Sequence, residues 1–123
     1  MTSSNREQLL EVIRKAPGPL SAAEIWDQLR RARARIGLAT VYRILKAEVD
    51  SGTVEPTEFP GGHTRFGSTG QQHHHHFLCE ACDRAFSVAG CVEGIEDIAP
   101  SHFAVSGHAI MLFGQCEECQ ETQ

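Results

Sequence analysis

Two Cys-x-x-Cys pairs, Cys79-Glu80-Ala81-Cys82 and Cys116-Glu117-Glu118-Cys119, constrain this chain more than any other feature. Each knuckle presents two thiolates close enough to share one ion, and two knuckles complete a tetrahedral site. The interval between them, residues 83 to 115, exceeds that of an ordinary zinc ribbon, so the ion closes a loop with secondary structure of its own. Four cysteines leave no open position for water, which makes such a site structural rather than catalytic. A redox pair is the alternative, but neither knuckle sits in a thioredoxin-like context. At 123 residues the chain is one ordinary domain or two very small ones, and a very small domain needs a staple of this kind.

Charge divides the chain. The total is −5, which argues against nucleic acid, whose affinity for proteins comes largely from Lys and Arg. Yet residues 1–52 hold nine basic side chains (Arg6, Arg14, Lys15, Arg30, Arg31, Arg33, Arg35, Arg43 and Lys46) against six acids, a net of +3. The remainder holds two basic and ten acidic side chains, a net of −8. Such asymmetry joins an anion-binding part to a part with another duty; a solvated helix face is the plain alternative. No apolar run suits a membrane span and MTSSNREQLLEVIRK lacks a signal-peptide core, so a soluble, cytoplasmic protein is expected.

The basic half reads as three helices. Ser4 caps the first, which carries Leu9, Leu10, Val12 and Ile13 on one stripe and ends at Pro17-Gly18-Pro19. Ser21 and Glu24 form a capping box for the second, which buries Ile25, Trp26 and Leu29. The third follows Gly37, with Val41, Ile44, Leu45 and Val49 inward and Gly52 as its stop. Residues 53 to 59, a Pro60-Gly61-Gly62 turn and residues 64 to 66 read as a hairpin. Three helices and a ribbon make a winged helix-turn-helix, whose last helix reads the major groove. Thr40, Tyr42, Arg43 and Lys46 are its candidate DNA contacts. A plain helical bundle is the alternative.

Ahead of the first knuckle stands His73-His74-His75-His76. The run is internal and leads into a strand, unlike an expression tag. Alternation on a strand puts His73 and His75 on one face and His74 and His76 on the other, so one strand can serve two metal sites. Downstream, Glu93 opens an expected helix to about Pro100, and Val105 to Phe113 reads as a strand containing His108. Cys91 is the odd cysteine, expected as a small buried apolar residue. No HExxH occurs, and no HxE with PCxxC, so an enzyme is not expected.

GLATVYRIL at 37–45, the glycine turn at 61–62, QQHHHHFLCEAC at 71–82, and GH with FGQCEEC at 107–119 together resemble the ferric uptake regulator superfamily, closest to its zinc uptake regulator branch. The resemblance covers essentially the whole chain. It implies an α+β protein with an N-terminal winged helix-turn-helix domain over residues 1–68, including wing and hinge. A small α/β dimerisation domain over residues 69–123 holds structural zinc on Cys79, Cys82, Cys116 and Cys119. By the same resemblance, His73, His75, Glu93 and His108 form a dimerisation-domain site, and Glu55, His74 and His76 a sensory hinge site. Its fourth ligand is left open among Ser68, Cys91, His63 and water.

This chain departs from the family pattern in several places. The hinge ligand before the histidines is Gly67 or Ser68, a head-domain histidine is replaced near Pro19, and an acid after the first knuckle is replaced by Ser87. A one-residue gap precedes Glu93. The lean ligand set favours Zn2+ as the regulatory metal as well as the structural one, with Fe2+ or Mn2+ as the alternative. The expected function is a metal-responsive, homodimeric repressor acting on operator DNA at metal-uptake genes, with no membrane or small-molecule substrate. An iron- or manganese-responsive regulator, a peroxide sensor of the same superfamily, a redox sensor using Cys79 and Cys82, and a zinc storage or chaperone module are the rival readings.

Overall fold

The computed structural model describes residues 4–61, 63–70 and 73–121. Met1 to Ser3, Gly62 of the expected turn, Gln71 and Gln72 of the histidine motif, and Thr122 and Gln123 lie outside the described residues. The chain divides into two compact units, Met1–Gln71 and Gln72–Gln123.

In the first unit α1 spans Asn5–Lys15, α2 Ala22–Arg31 and α3 Leu38–Asp50. Ser4 caps α1 by accepting from the Glu7 amide. At α2 the capping box is complete, with Ser21 N donating to Glu24 Oε1 at 2.9 Å and Glu24 N to Ser21 Oγ at 3.1 Å. α3 ends in a Schellman motif: Gly52, at φ 83, donates to Val49 O, and Thr53 donates to Glu48 O. The end of α2 uses the same motif, but there Arg33 takes the left-handed position at φ 64, with Arg33 N on Arg30 O and Ala34 N on Leu29 O. Trp26 Nε1 donates to Ile36 O across the turn between α2 and α3.

The core is Leu9, Ile13, Leu20, Ala22, Ile25, Leu29, Val41, Leu45 and Val54, all in this unit. Strands β1 (Val54–Phe59) and β2 (His63–Ser68) pair antiparallel, Glu55 opposite Gly67. Leu20 and Phe66 exchange backbone hydrogen bonds, tying the hairpin to the start of α2. Two buried charges were not anticipated. Glu48, on the apolar side of α3, meets Arg6 Nε at 2.5 Å. Arg65, 2% exposed, meets Glu24 Oε1 at 2.8 Å, so the capping-box carboxylate also compensates a buried guanidinium.

The second unit is a three-stranded sheet of order β4-β3-β5, where β3 is His75–Cys79, β4 Ala85–Val88 and β5 Met111–Gly114. β3 is antiparallel to β4 and parallel to β5. Phe77 and Phe86 pack edge-to-face across β3 and β4. A short helix, α4, spans Glu117–Glu121. Two expectations fail here. In place of a helix opening at Glu93, only a 3-10 turn forms at Ile95–Ile98, behind Gly94 at φ 75 and with none of its residues buried. The last strand begins at Met111, so His108 lies before it rather than within it. Burial is sparse: Leu78, Cys79, Ala85 and His75 are this unit's buried residues among those described.

Candidate metal centres

Parallel pairing of β3 and β5 sets their C-terminal ends side by side, with Cys79 opposite Gly114. Cys82 follows Cys79 round a turn closed by Asp83 N on Cys79 O at 2.8 Å. Cys116 comes two residues after β5, and Cys119 lies in α4. The four sulfurs lie within 4.8 Å of one another, with Cys79–Cys119 at 3.6 Å and Cys82–Cys116 at 3.9 Å. Zn–S bonds of about 2.3 Å give a tetrahedral edge of about 3.8 Å, so the cluster fits one zinc ion.

Donors surround these sulfurs. The amides of Cys82 and Cys116 each reach Cys79 Sγ at 3.4 Å. Arg84 Nε lies 3.2 Å from Cys82 Sγ, and its Nη2 is 3.5 Å from Cys116 Sγ and 2.7 Å from Glu118 Oε2. The Cys116 amide, aided by that of Cys82, outweighs burial and draws the Cys79 thiol down to about 6. Cys116 is also lowered, chiefly by a backbone hydrogen bond at Cys119. Cys119 is pushed up to about 12 by its hydrogen bonds with Cys116 and then Cys79. Without an ion the sulfurs therefore share protons, which a bound metal displaces.

At the other end of β3 a second cluster forms from His73, His75, Cys91 and His108. His73 Nε2 is 3.0 Å from His75 Nε2 and 3.3 Å from His108 Nε2. Cys91 Sγ is 3.1 Å from Nε2 of both His75 and His108 and 3.5 Å from that of His73. His75 is buried, and burial, then positive charge on His73, His108 and His74, lowers its pKa. Ile110 N donates to His75 Nδ1 at 3.0 Å, and Glu96 Oε1 stands 3.7 Å from His108 Nδ1.

Two placements differ from what the sequence led us to expect. Glu93, carried over as a ligand, is not in the cluster; it sits exposed where Gly94 turns the chain, while Cys91 enters in its place. Cys91 itself is exposed rather than a buried apolar residue. The signal available in the sequence was a lone cysteine two residues before Glu93.

His74 and His76 pair with each other, ring centroids 5.0 Å apart. Glu55 lies in β1, and Ser68 and His63 in β2. Among the described residues none of Glu55, His63, His74 and His76 belongs to a cluster of three or more His, Cys, Asp or Glu donors. On α3, Tyr42 is 55% exposed. Arg43 and Lys46 are also exposed, Thr40 is half-buried, and Arg43 Nη2 donates to Thr40 Oγ1 at 2.8 Å. No helix among the described residues is long and apolar enough to cross a membrane.

Residues 1–113 match the Ferric uptake regulator family. The chain is 34% identical over 125 residues to the Ferric uptake regulation protein of Klebsiella pneumoniae, covering 95% of this chain and 79% of that one. Among solved structures it is similar to the Vibrio cholerae ferric uptake regulator, with TM-score 0.74, 30% identity, and 94% and 92% of the two chains covered. It is also similar to FurB of M. tuberculosis, a zinc uptake regulator, with TM-score 0.53, 30% identity, and 93% and 91% covered. The paired knuckles, the histidine-flanked strand and the helices with their wing are thus parts of one known design, and the chain belongs to the ferric uptake regulator family of metal-responsive, DNA-binding transcription regulators, which are not enzymes.

Proposed function

We propose that the chain is a zinc-responsive repressor that binds operator DNA as a homodimer in the cytoplasm and controls metal-uptake genes. One observation carries this reading: both donor clusters among the described residues consist of sulfur and imidazole nitrogen, without carboxylate oxygen. Zinc accepts such sets, whereas ferrous and manganous ions favour oxygen-rich, six-coordinate sites.

Tyr42, Arg43 and Lys46, exposed on α3, supply the groups that clamp phosphate and read base edges. A second copy of the chain is the proposed cover for Ile98, Phe103, Leu112 and Phe113, which are 84%, 70%, 47% and 51% exposed beside a sparsely buried sheet. The hinge residues carried over by resemblance, Glu55, His74 and His76, belong to the same reading. A His74→Ala, His76→Ala double variant that keeps its full metal response removes them from it.

The name of the Klebsiella relative favours iron as a second reading. Operator affinity measured in metal-buffered solutions of zinc, ferrous and manganous ions separates the two. Response at the lowest free concentration of zinc supports the proposal; response to ferrous or manganous ion alone replaces it.

A further inference from the structure

We infer that Cys91, with His73, His75 and His108, forms a second tetrahedral metal site of three imidazoles and one thiolate, selective for zinc over ferrous and manganous ions. The inference rests on reading the chain as metal-responsive and names a donor set distinct from the carried-over hinge residues Glu55, His74 and His76.

The geometry is that of a coordination shell. Zn–N bonds of about 2.05 Å and a Zn–S bond of about 2.3 Å set tetrahedral edges of about 3.4 Å between nitrogens and about 3.6 Å between nitrogen and sulfur. The two nitrogen–nitrogen separations at His73 are 3.0 and 3.3 Å, and the three nitrogen–sulfur separations at Cys91 are 3.1, 3.1 and 3.5 Å. Three Nε2 atoms converge on one thiol sulfur, each within 3.5 Å of it. A neutral imidazole carries one ring proton; Ile110 N, donating to His75 Nδ1, places it on Nε2 of His75, so an ion bound at that atom would take the proton's place. A cation at the centre satisfies all four donors at once.

Donor identity sets the selectivity. The resemblance supplies a carboxylate, Glu93, for the fourth position, and this chain supplies sulfur two residues earlier. One soft thiolate in a closed four-coordinate shell favours zinc and disfavours the hard, six-coordinate ions. Glu96 near His108 Nδ1 is placed to orient that ring. Ile110 N, which donates to His75 Nδ1, would fix the orientation of that ring toward a bound ion. Ile110 also accepts from His76 N and directly precedes β5.

Cobalt(II) titration of the full chain, with zinc already filling the four-cysteine site, reads the donor set directly. One further cobalt per chain should bind with tetrahedral visible bands and a thiolate-to-cobalt band about a quarter as intense as that of a four-thiolate site. Cys91→Ser should lose that band and weaken cobalt binding by at least about 10-fold, as for lost metal-site partners. Cys91→Asp should bind cobalt without the band, and Glu93→Gln should match the parent. No further cobalt, a further cobalt without the band, or loss of binding in Glu93→Gln overturns the assignment. Displacement of the cobalt by manganous or ferrous ion at equal free concentration overturns the selectivity. Operator affinity, measured separately, tests the regulator reading, so either can fail while the other stands.

Discussion

His75 and Cys79 stand at opposite ends of one five-residue strand, and each belongs to a different four-donor cluster. At about 3.3 Å per residue the strand separates the clusters by about 13 Å. Its neighbour β5, running parallel, serves both ends too: His108 lies before it and Cys116 after it. A unit with few buried side chains is thereby tied at both ends of its central strand.

Replacing Cys79 or Cys116 with Ser should release the structural zinc and unfold the second unit. Structural zinc contributes about 10–16 kcal/mol in small domains, so one of four ligands is worth on the order of 3 kcal/mol. Zinc content and far-ultraviolet circular dichroism check this; a folded, zinc-replete Cys116→Ser variant would remove the staple.

Glu24→Ala should destabilise the first unit by roughly 3 kcal/mol, since it removes the α2 capping box and leaves Arg65 buried without its carboxylate. Glu11→Ala, which loses only surface pairs with Arg14 and Lys15, should cost less than about 0.5 kcal/mol. Urea denaturation of both variants gives the comparison.

Arg43→Ala should weaken operator binding by about 1–3 kcal/mol with metal content unchanged. Its guanidinium is exposed and held by Thr40, so the loss should appear as affinity and not as stability. Fluorescence anisotropy with labelled operator, beside thermal melting, reads both.

Acid should loosen the metal-free protein through His75. Its folded pKa lies below the ordinary value of 6.5, so as pH falls through that value the unfolded chain takes up a proton the folded one resists. The His75 contribution is fully present above pH 6.5 and is lost below it. Urea midpoints at pH 7.5 and 5.5 should therefore differ more for the parent than for His75→Gln.

The helical half was legible because its signals are local. Ser4, the Ser21–Glu24 box and Gly52 mark their helix ends by side-chain chemistry that needs no tertiary partner. The two charges buried in that half, Glu48 and Arg65, were hidden because their partners Arg6 and Glu24 lie 42 and 41 residues away in sequence. The four-cysteine cluster could be read from spacing alone. The second cluster could be read only in part: strand alternation paired His73 with His75 even though β3 starts at His75, but the fourth donor depended on a loop without periodicity. There, Gly94 at φ 75 turned Glu93 away and left Cys91 facing the histidines.

The central claim is that metal beyond the structural zinc controls DNA binding. Operator affinity of the full chain should be measured twice, with only the four-cysteine site filled and again with free zinc buffered high enough to fill the second cluster. The account predicts an increase of at least about 10-fold, within the range of ordinary coupling energies. Equal affinity in the two states of the parent protein would contradict it.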